Sequence, residues 1–331
     1  MRLGILDQSP ISTNQEAQDA LAASVKLAQA GEEFGYVRYW LAEHHDLPGL
    51  ACSAPEVMLS YIGANTRTIR IGAGAVLLPY YRPYKVAEVY NMLATLMPNR
   101  VDLGIGRAPG GSAEASNALS PNFLQQVWAM PDSIKELLLY LDDEYSTNNE
   151  HATLSAAPVP KIPPVPWLLG TSKKSAILAG QLGLSYTFGH FMSDKDGPEI
   201  VRQYKAAFKE RKEGQKAGTI VAVAAFCAET TEKAEEIALS SFIWSLQRAK
   251  GAGEGVPSIE EAKAYKLTDE ESQTLASMKN KAVIGNPKEV KEQLLSLKEA
   301  YGADEIMIVT ITYNPVDKIN SYRLIAEELL S

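Results

Sequence analysis

Four histidines and two cysteines in 331 residues leave little material for a metal centre and none for a disulfide framework. Cys52 and Cys227 lie far apart without ligand spacing, which fits a reducing compartment. No stretch approaches the roughly 18 uninterrupted apolar residues of a membrane span. The opening "MRLGILDQSP" has neither a signal-peptide apolar region nor a small-residue cleavage site, so a cytoplasmic protein without a membrane partner is expected. Positive charge is not in excess: the formal net charge of −8 argues against nonspecific nucleic-acid binding. The nucleophile elbow G-x-S-x-G and the P-loop are both missing. No G-x-G-x-x-G follows the first strand-like run, which counts against an open doubly wound dinucleotide fold, the main alternative architecture.

What is present is alternation. Strand-like runs occur at 2–7, 36–43, 69–79, 101–108, 165–172, 184–191, 219–229 and 304–313, several of them apolar nearly throughout, as strands buried on both faces should be. Helix-period segments separate them. The first, "NQEAQDALAASVKLAQAGEEFG", starts at an Asn cap, and "SAPEVMLSYIGANT" opens on a Ser cap followed by a first-turn proline. Others begin at "PYKVAEV", "PDSIKEL", "TSKKSAI", "GPEIVRQ", "TTEKAEE" and "NPKEVKE", and "NSYRLIAEELL" closes the chain. This order predicts an α/β fold, a single (β/α)8 TIM barrel over 1–331. The chain exceeds the barrel's usual ~250 residues. The surplus falls in two polar, small-residue or charged insertions, 109–123 after the fourth strand and about 251–282 before the eighth, both read as mobile lids.

Barrel chemistry gathers at the C-terminal ends of the strands. There the sequence places Asp7, Gln8 and Ser9, then Glu43, His44 and His45, then Arg107, Thr171, Ser172 and His190. Adjacent residues on an extended chain point to opposite faces, so one metal ion rarely takes both histidines of a pair, and only His151 and His190 remain as further imidazoles. No metal site is expected. His45 reads equally as a structural hydrogen-bond partner. His44 reads as a proton carrier or donor beside a ligand. An acid–base pair made of Asp7 and Glu43 has only position in its favour.

In "LLGTSKKSAILAG", Thr171, Ser172 and Ser175 open a helix whose free N–H groups and dipole suit a phosphate. An ordinary serine cap explains one hydroxyl as well. Arg107, at the end of the fourth strand, tips the balance, because a guanidinium there can clamp a phosphate bidentately. The glycines of "GAGAVLLP" inside a buried strand require a reason: close approach of a flat ligand, an abnormal backbone such as a non-proline cis peptide, or a bulge that helps closure.

Taken together, "YVRYWLAEHHDLPGLACSAPEVMLSYIGANT", "IRIGAGAVLLPYYRPYKVAEVYNMLATLMPNRVDLGIGRAPGG", "WLLGTSKKSAILAGQLGLSY" and "VIGNPKEVKEQLLSLKEAYGADEIMI" resemble the bacterial luciferase-like monooxygenases, a flavin-dependent (β/α)8 family. The likeness is weakest across 109–165 and 240–280. It implies reduced FMN at the barrel mouth, or F420 in one branch of the family. It implies a cis peptide at Gly74–Ala75 against the isoalloxazine, phosphate ligation by Arg107, Thr171, Ser172 and Ser175, and His44 beside the reacting face. The strand position of His190 adds it near the ring. The implied reaction is oxygenation of a small organic substrate by O2, with reduced FMN delivered by a separate NAD(P)H:flavin reductase. The rivals are a flavin-binding protein without oxygenase activity and an F420-dependent oxidoreductase. The resemblance also implies a homodimer through the second and third helices, with Met58, Tyr61, Tyr90, Met92 and Met97 as candidate contacts. One departure stands out. Gly106 occupies the place of a reactive cysteine in the luciferase α subunit, and "LDQSP" is closer to a non-luminous group, so light emission is not expected.

Overall fold

The computed structural model describes residues 1–145 and 154–330; His151 lies outside the described residues. Eight parallel strands close a barrel: β1 (Arg2–Asp7), β2 (Arg38–Leu41), β3 (Arg70–Leu77), β4 (Val101–Gly106), β5 (Val165–Gly170), β6 (Ser185–Gly189), β7 (Thr219–Cys227) and, after the short strand β8 (Val283–Gly285), β9 (Glu305–Val309). Closure is visible in the register, where Arg2–Ile5 of β1 pair with Glu305–Ile308 of β9. The first part of β7 also pairs with β9, while its end, Ala225–Cys227, takes β8 as a neighbour. This ninth strand is absent from the sequence expectation. Three residues carry too little pattern to register as a strand.

Alternate residues divide the strands between two cores. Leu3, Ile5, Tyr39, Leu41, Leu103, Ile105, Val221, Val223, Ile306 and Ile308 pack outward against the helices. Leu6, Trp40, Trp167, Ile220, Ala222 and Met307 fill the barrel. The barrel floor is charged. Arg38 reaches Asp102 at 2.6 Å and Glu305 at 2.7 Å, and Arg70 reaches the other oxygen of Asp102 at 2.7 Å. The Arg38 guanidinium also lies 4.8 Å from the Trp167 ring centroid. Glycines make the room for these side chains: a Cβ on Gly72 would sit 2.8 Å from Asp102 Cβ, and one on Gly4 2.8 Å from the Arg38 side chain.

The surrounding helices are α1 (Ala17–Glu33), α2 (Pro55–Ala64), α3 (Pro83–Leu96), α4 (Ala113–Leu119), α5 (Phe123–Leu141), α6 (Lys173–Gln181), α7 (Gly197–Ala207), α8 (Thr231–Ala249), α9 (Ile259–Ala264), α10 (Asp269–Lys281), α11 (Pro287–Tyr301) and α12 (Pro315–Leu329). Several differ from expectation. Helix α1 is capped by Glu16 and Asp19 in a reciprocal box rather than by Asn14, and α2 starts at Pro55 without help from Ser53. Helix α5 begins at Phe123 and carries Pro131 inside it, held at its start by Phe123 stacked on Tyr80 at 4.9 Å. The two insertions are largely helical rather than irregular. Ser112 caps α4, and capping boxes Ser258–Glu261 and Thr268–Glu271 start α9 and α10. Those S-x-x-E and T-x-x-E signals stand in "SIEE" and "TDEE" and could have been read from the sequence. Of the contacts expected at a dimer face, Tyr90 and Met97 are buried in the core, whereas Tyr61 and Met92 are exposed. No described helix is long and apolar enough to cross a membrane.

Candidate active site at the barrel mouth

Strands β4 and β5 are hydrogen-bonded neighbours, so the residues that follow them meet. Arg107 follows β4. It is exposed, and it forms no ion pair or side-chain hydrogen bond among the described residues. With Lys174, Ser175, Leu168, Leu169 and Trp128 it lines a recess of about 490 Å3. Helix α6 runs along this recess from Lys174 and Ser175 to Gln181, with Thr171 and Ser172 just before it in the chain. The Ser172 hydroxyl accepts from the Ser175 N–H at 3.2 Å, the Ser172 N–H donates to Ser175 Oγ at 3.3 Å, and Ser175 Oγ lies 3.1 Å from the Tyr186 hydroxyl. Both serines therefore serve the cap, while the Thr171 hydroxyl has no hydrogen bond among the described residues. Gly170 keeps the turn tight, because a Cβ there would fall 2.3 Å from Ser175 Oγ. An unpaired guanidinium, a lysine, hydroxyls and the positive end of a nine-residue helix form a donor set that fits a phosphate monoester.

The Gly74–Ala75 peptide is cis, as the resemblance implies. It lies where β3 slips register against β4 between Ala73 and Val76. A Cβ on Gly74 would stand 2.7 Å from Leu6 Cδ1, and one on Gly106 would stand 2.9 Å from the Ala75 methyl. Tight packing against the protein's own side chains explains both glycines, and Gly106 offers no reactive side chain.

The histidine pair splits as an extended strand end requires. His45 turns to Glu43 at 2.8 Å, and Glu43 also accepts from the Tyr81 hydroxyl at 2.6 Å and the Leu77 N–H at 3.1 Å. Burial raises the Glu43 carboxyl above its usual range, while Tyr81 and His45 pull it back. The backbone of His45 donates to the Gly110 carbonyl at 2.9 Å, fastening the first insertion to the mouth. Tyr81, which the sequence places with Pro79 and Tyr80 at the end of the third strand, is the third member of this cluster. Asp7 is not paired with Glu43. It is buried against Lys318, Ser24 and Tyr39.

His44 lines a different space, a cavity of about 570 Å3 walled by β7, β9, α8 and α10. Its Nδ1 is buried without a hydrogen-bond partner. Burial first, then the nearby charges of Arg248 and His45, lower its pKa to about 4, so near neutral pH it is an uncharged imidazole. Gln8, Trp244, Arg248, Met278 and Ile311 share the cavity. His190 does not line it. Its Nδ1 lies 2.8 Å from the Tyr301 hydroxyl in a separate recess against α11, and its neighbours Phe191 and Met192 reach the mouth instead. The 3-10 turn after β6 accounts for the offset, because strand alternation no longer applies there. Among the described residues no three His, Cys, Asp or Glu side chains gather to hold a metal ion.

The structure therefore brings Arg107, Thr171, Ser172 and Ser175 to adjoining strand ends, sets His44 in the mouth cavity and turns His190 away. Comparison with known proteins places this arrangement. Residues 1–305 match the family described as luciferase-like monooxygenase. The N-acetyl-S-alkylcysteine monooxygenase of Bacillus subtilis (strain 168) is 37% identical over 100% of this chain and 99% of its own. The crystal structure of apo-MsnO8 superposes with a TM-score of 0.89 at 30% identity, covering 99% of this chain and 98% of that one. The fold alone is shared with the FMN-complexed oxygenating constituent of 3,6-diketocamphane monooxygenase from Pseudomonas putida, at TM-score 0.74 and 19% identity over 99% and 97% of the two chains. A closed barrel of this strand order, a family match over most of its length and relatives covered end to end lead to one conclusion: the chain belongs to the luciferase-like monooxygenase family and is an oxidoreductase.

Proposed function

We propose that the chain is a flavin-dependent monooxygenase that takes reduced FMN from a separate NAD(P)H:flavin reductase in the cytoplasm and oxygenates a small organic substrate with O2. The observation that carries this reading is Arg107, a guanidinium with no acidic partner among the described residues, sharing its recess with Ser175 at the start of α6. Arg107, Thr171, Ser172 and Ser175 would hold the phosphate, and Gly74 and Ala75 would face the ring. When bound, the flavin supplies the two electrons that activate O2. The protein's own contributions are orientation, exclusion of water and one proton station. Helices α8 and α10 wall the cavity, and a substrate bound between them would displace water from beside the reacting groups. His44, neutral and with a free Nδ1, can hold or pass a proton beside them.

The test couples the protein to a flavin reductase, NAD(P)H, FMN and 18O2 with a panel of thioethers headed by N-acetyl-S-benzylcysteine, chosen from the class in the Bacillus subtilis relative's name. One 18O atom is expected in the product. His44→Ala is expected to lower kcat by roughly 10²- to 10⁴-fold with FMN affinity unchanged. FMN binding with no labelled product across the panel would favour a flavin carrier, and a preference for a deazaflavin would favour the F420 reading.

We also propose a homodimer through α2 and α3. Val57 and Tyr61 on α2, and Met92 and Leu96 on α3, are exposed apolar residues at i, i+4 spacing. Light scattering is expected to give twice the chain mass, and Tyr61→Glu with Leu96→Glu is expected to halve it. A parent protein that scatters as a monomer would contradict the dimer.

A further inference from the structure

The mouth cavity contains a cation that the flavin assignment does not use. Arg248 stands in the last turn of α8, half-buried, with its guanidinium 4.7 Å from the Trp244 ring centroid. It has no ion pair or side-chain hydrogen bond among the described residues. Its situation contrasts with Arg38 on the barrel floor, which is clamped between two carboxylates. It contrasts also with Lys281, the cavity's other cation, which is paired with Asp194, the cavity's carboxylate. Arg100 is also half-buried without an acid, but it spends its guanidinium on the Ile69 and Thr66 carbonyls, at 3.0 Å each, whereas Arg248 has no such acceptor among the described residues. Desolvation acts on it with no carboxylate to offset the cost.

Its place in the last turn of α8 suits a cation, and its ring contact holds it, but neither uses its N–H donors. Trp244 is already held by its own indole N–H, which donates to the Gly253 carbonyl at 3.1 Å, and its ring is 1% exposed. Stacking occupies the face of the guanidinium and leaves its planar fork of N–H donors unspent. The remaining cavity wall is mixed: Phe226, Phe242, Met278, Val309 and Ile311 give it an apolar side, and Gln8, the hydroxyls of Ser241, Ser245, Thr274 and Ser277 and the Lys281–Asp194 pair give it a polar one. A space of about 570 Å3 with one apolar side, one uncompensated fork and one neutral histidine selects a particular ligand. That ligand has an apolar body and one anionic end.

We propose that Arg248 is the specificity-determining anchor for a substrate carboxylate, gripping it bidentately so that the apolar part of the same molecule extends towards His44. The proposal rests on the monooxygenase reading of the mouth cavity and names the substrate class for it: small carboxylates with an oxidisable apolar or thioether portion. Arg248 and His44 line the same cavity, and the Arg248 charge is among those that depress the His44 pKa. A carboxylate on Arg248 would relieve that depression.

The experiment titrates N-acetyl-S-benzylcysteine and its primary carboxamide, by calorimetry, into the full-length parent, Arg248→Gln and Arg248→Lys, with FMN affinity measured on the same preparations. The parent is expected to bind the acid roughly 10- to 100-fold more tightly than the amide, the effect of a charge-assisted bidentate pair. Arg248→Gln is expected to bind both alike, Arg248→Lys to keep part of the preference, and all three to bind FMN equally. In turnover the loss should appear in KM rather than kcat. Equal binding of acid and amide by the parent, binding of neither, or a preference that survives Arg248→Gln would overturn the anchor. Failure of the flavin reading is separately visible: the acid preference would remain while FMN bound no protein.

Discussion

An Arg107→Ala enzyme is expected to bind FMN roughly 10- to 100-fold more weakly than the parent, while its affinity for riboflavin stays the same. The size follows from what the guanidinium does in the recess. It is not tied to any carboxylate among the described residues, so its removal leaves no buried anion stranded and the fold is untouched. What is lost is one charged partner for a dianionic group at the start of α6, where the Ser172–Ser175 cap and the helix dipole continue to act. Riboflavin has no phosphate and should not register the change. Fluorescence titration of both flavins against both proteins is the measurement. An unchanged FMN constant in Arg107→Ala would remove the phosphate from this recess.

Arg38→Met is expected to have the largest effect on stability, a loss of about 3–5 kcal/mol in urea unfolding. Arg38 is 4% exposed, and it compensates Asp102 and Glu305, which are 0% and 2% exposed. Methionine fills much of the volume but leaves Glu305 with only the outlying Arg2 at 3.5 Å. The pH dependence gives the mechanism. Burial already raises the Glu305 carboxyl despite Arg38. A carboxyl whose folded pKa lies above its unfolded value takes up a proton on folding, so stability falls as pH rises between the two values. Without Arg38 that window widens upward. Arg38→Met should therefore be more deficient at pH 8 than at pH 5. A deficit that grows towards acid would show that the floor is held by something other than this ion cluster.

The same cluster shows where sequence stopped being informative. The eight barrel strands could be read because strands buried on both faces are apolar nearly throughout, and "VDLGIG" and "EIMIV" are of that kind. Arg38 in "RYWL" and Asp102 in "VDLGIG" look like solvent-facing breaks in the pattern, yet they point into the barrel. Only closure of the sheet brings them together. Cap chemistry was legible at Ser172 because the hydroxyl and the helix period agree locally. The same signals at Ser258 and Thr268 lay in a charged insertion where no apolar period drew attention to them. The mouth divides in the same way. Arg107 and the α6 start are strand-end residues, and barrel geometry places strand ends. His190 has the same address, but a 3-10 turn rotates it towards Tyr301. Arg248 sits one helical turn beyond Trp244 in α8, and nothing in "FIWSLQRAK" distinguishes it from a surface arginine. Its surroundings come from β7, β9 and α10.

The measurement that bears most directly on the central claim is a side-by-side titration of the parent protein with FMN and riboflavin under reducing, anaerobic conditions. If Arg107 and the start of α6 hold a phosphate, FMN binds at least tenfold more tightly than riboflavin, and added inorganic phosphate competes with FMN alone. Equal constants for the two flavins, insensitive to phosphate, would contradict the account.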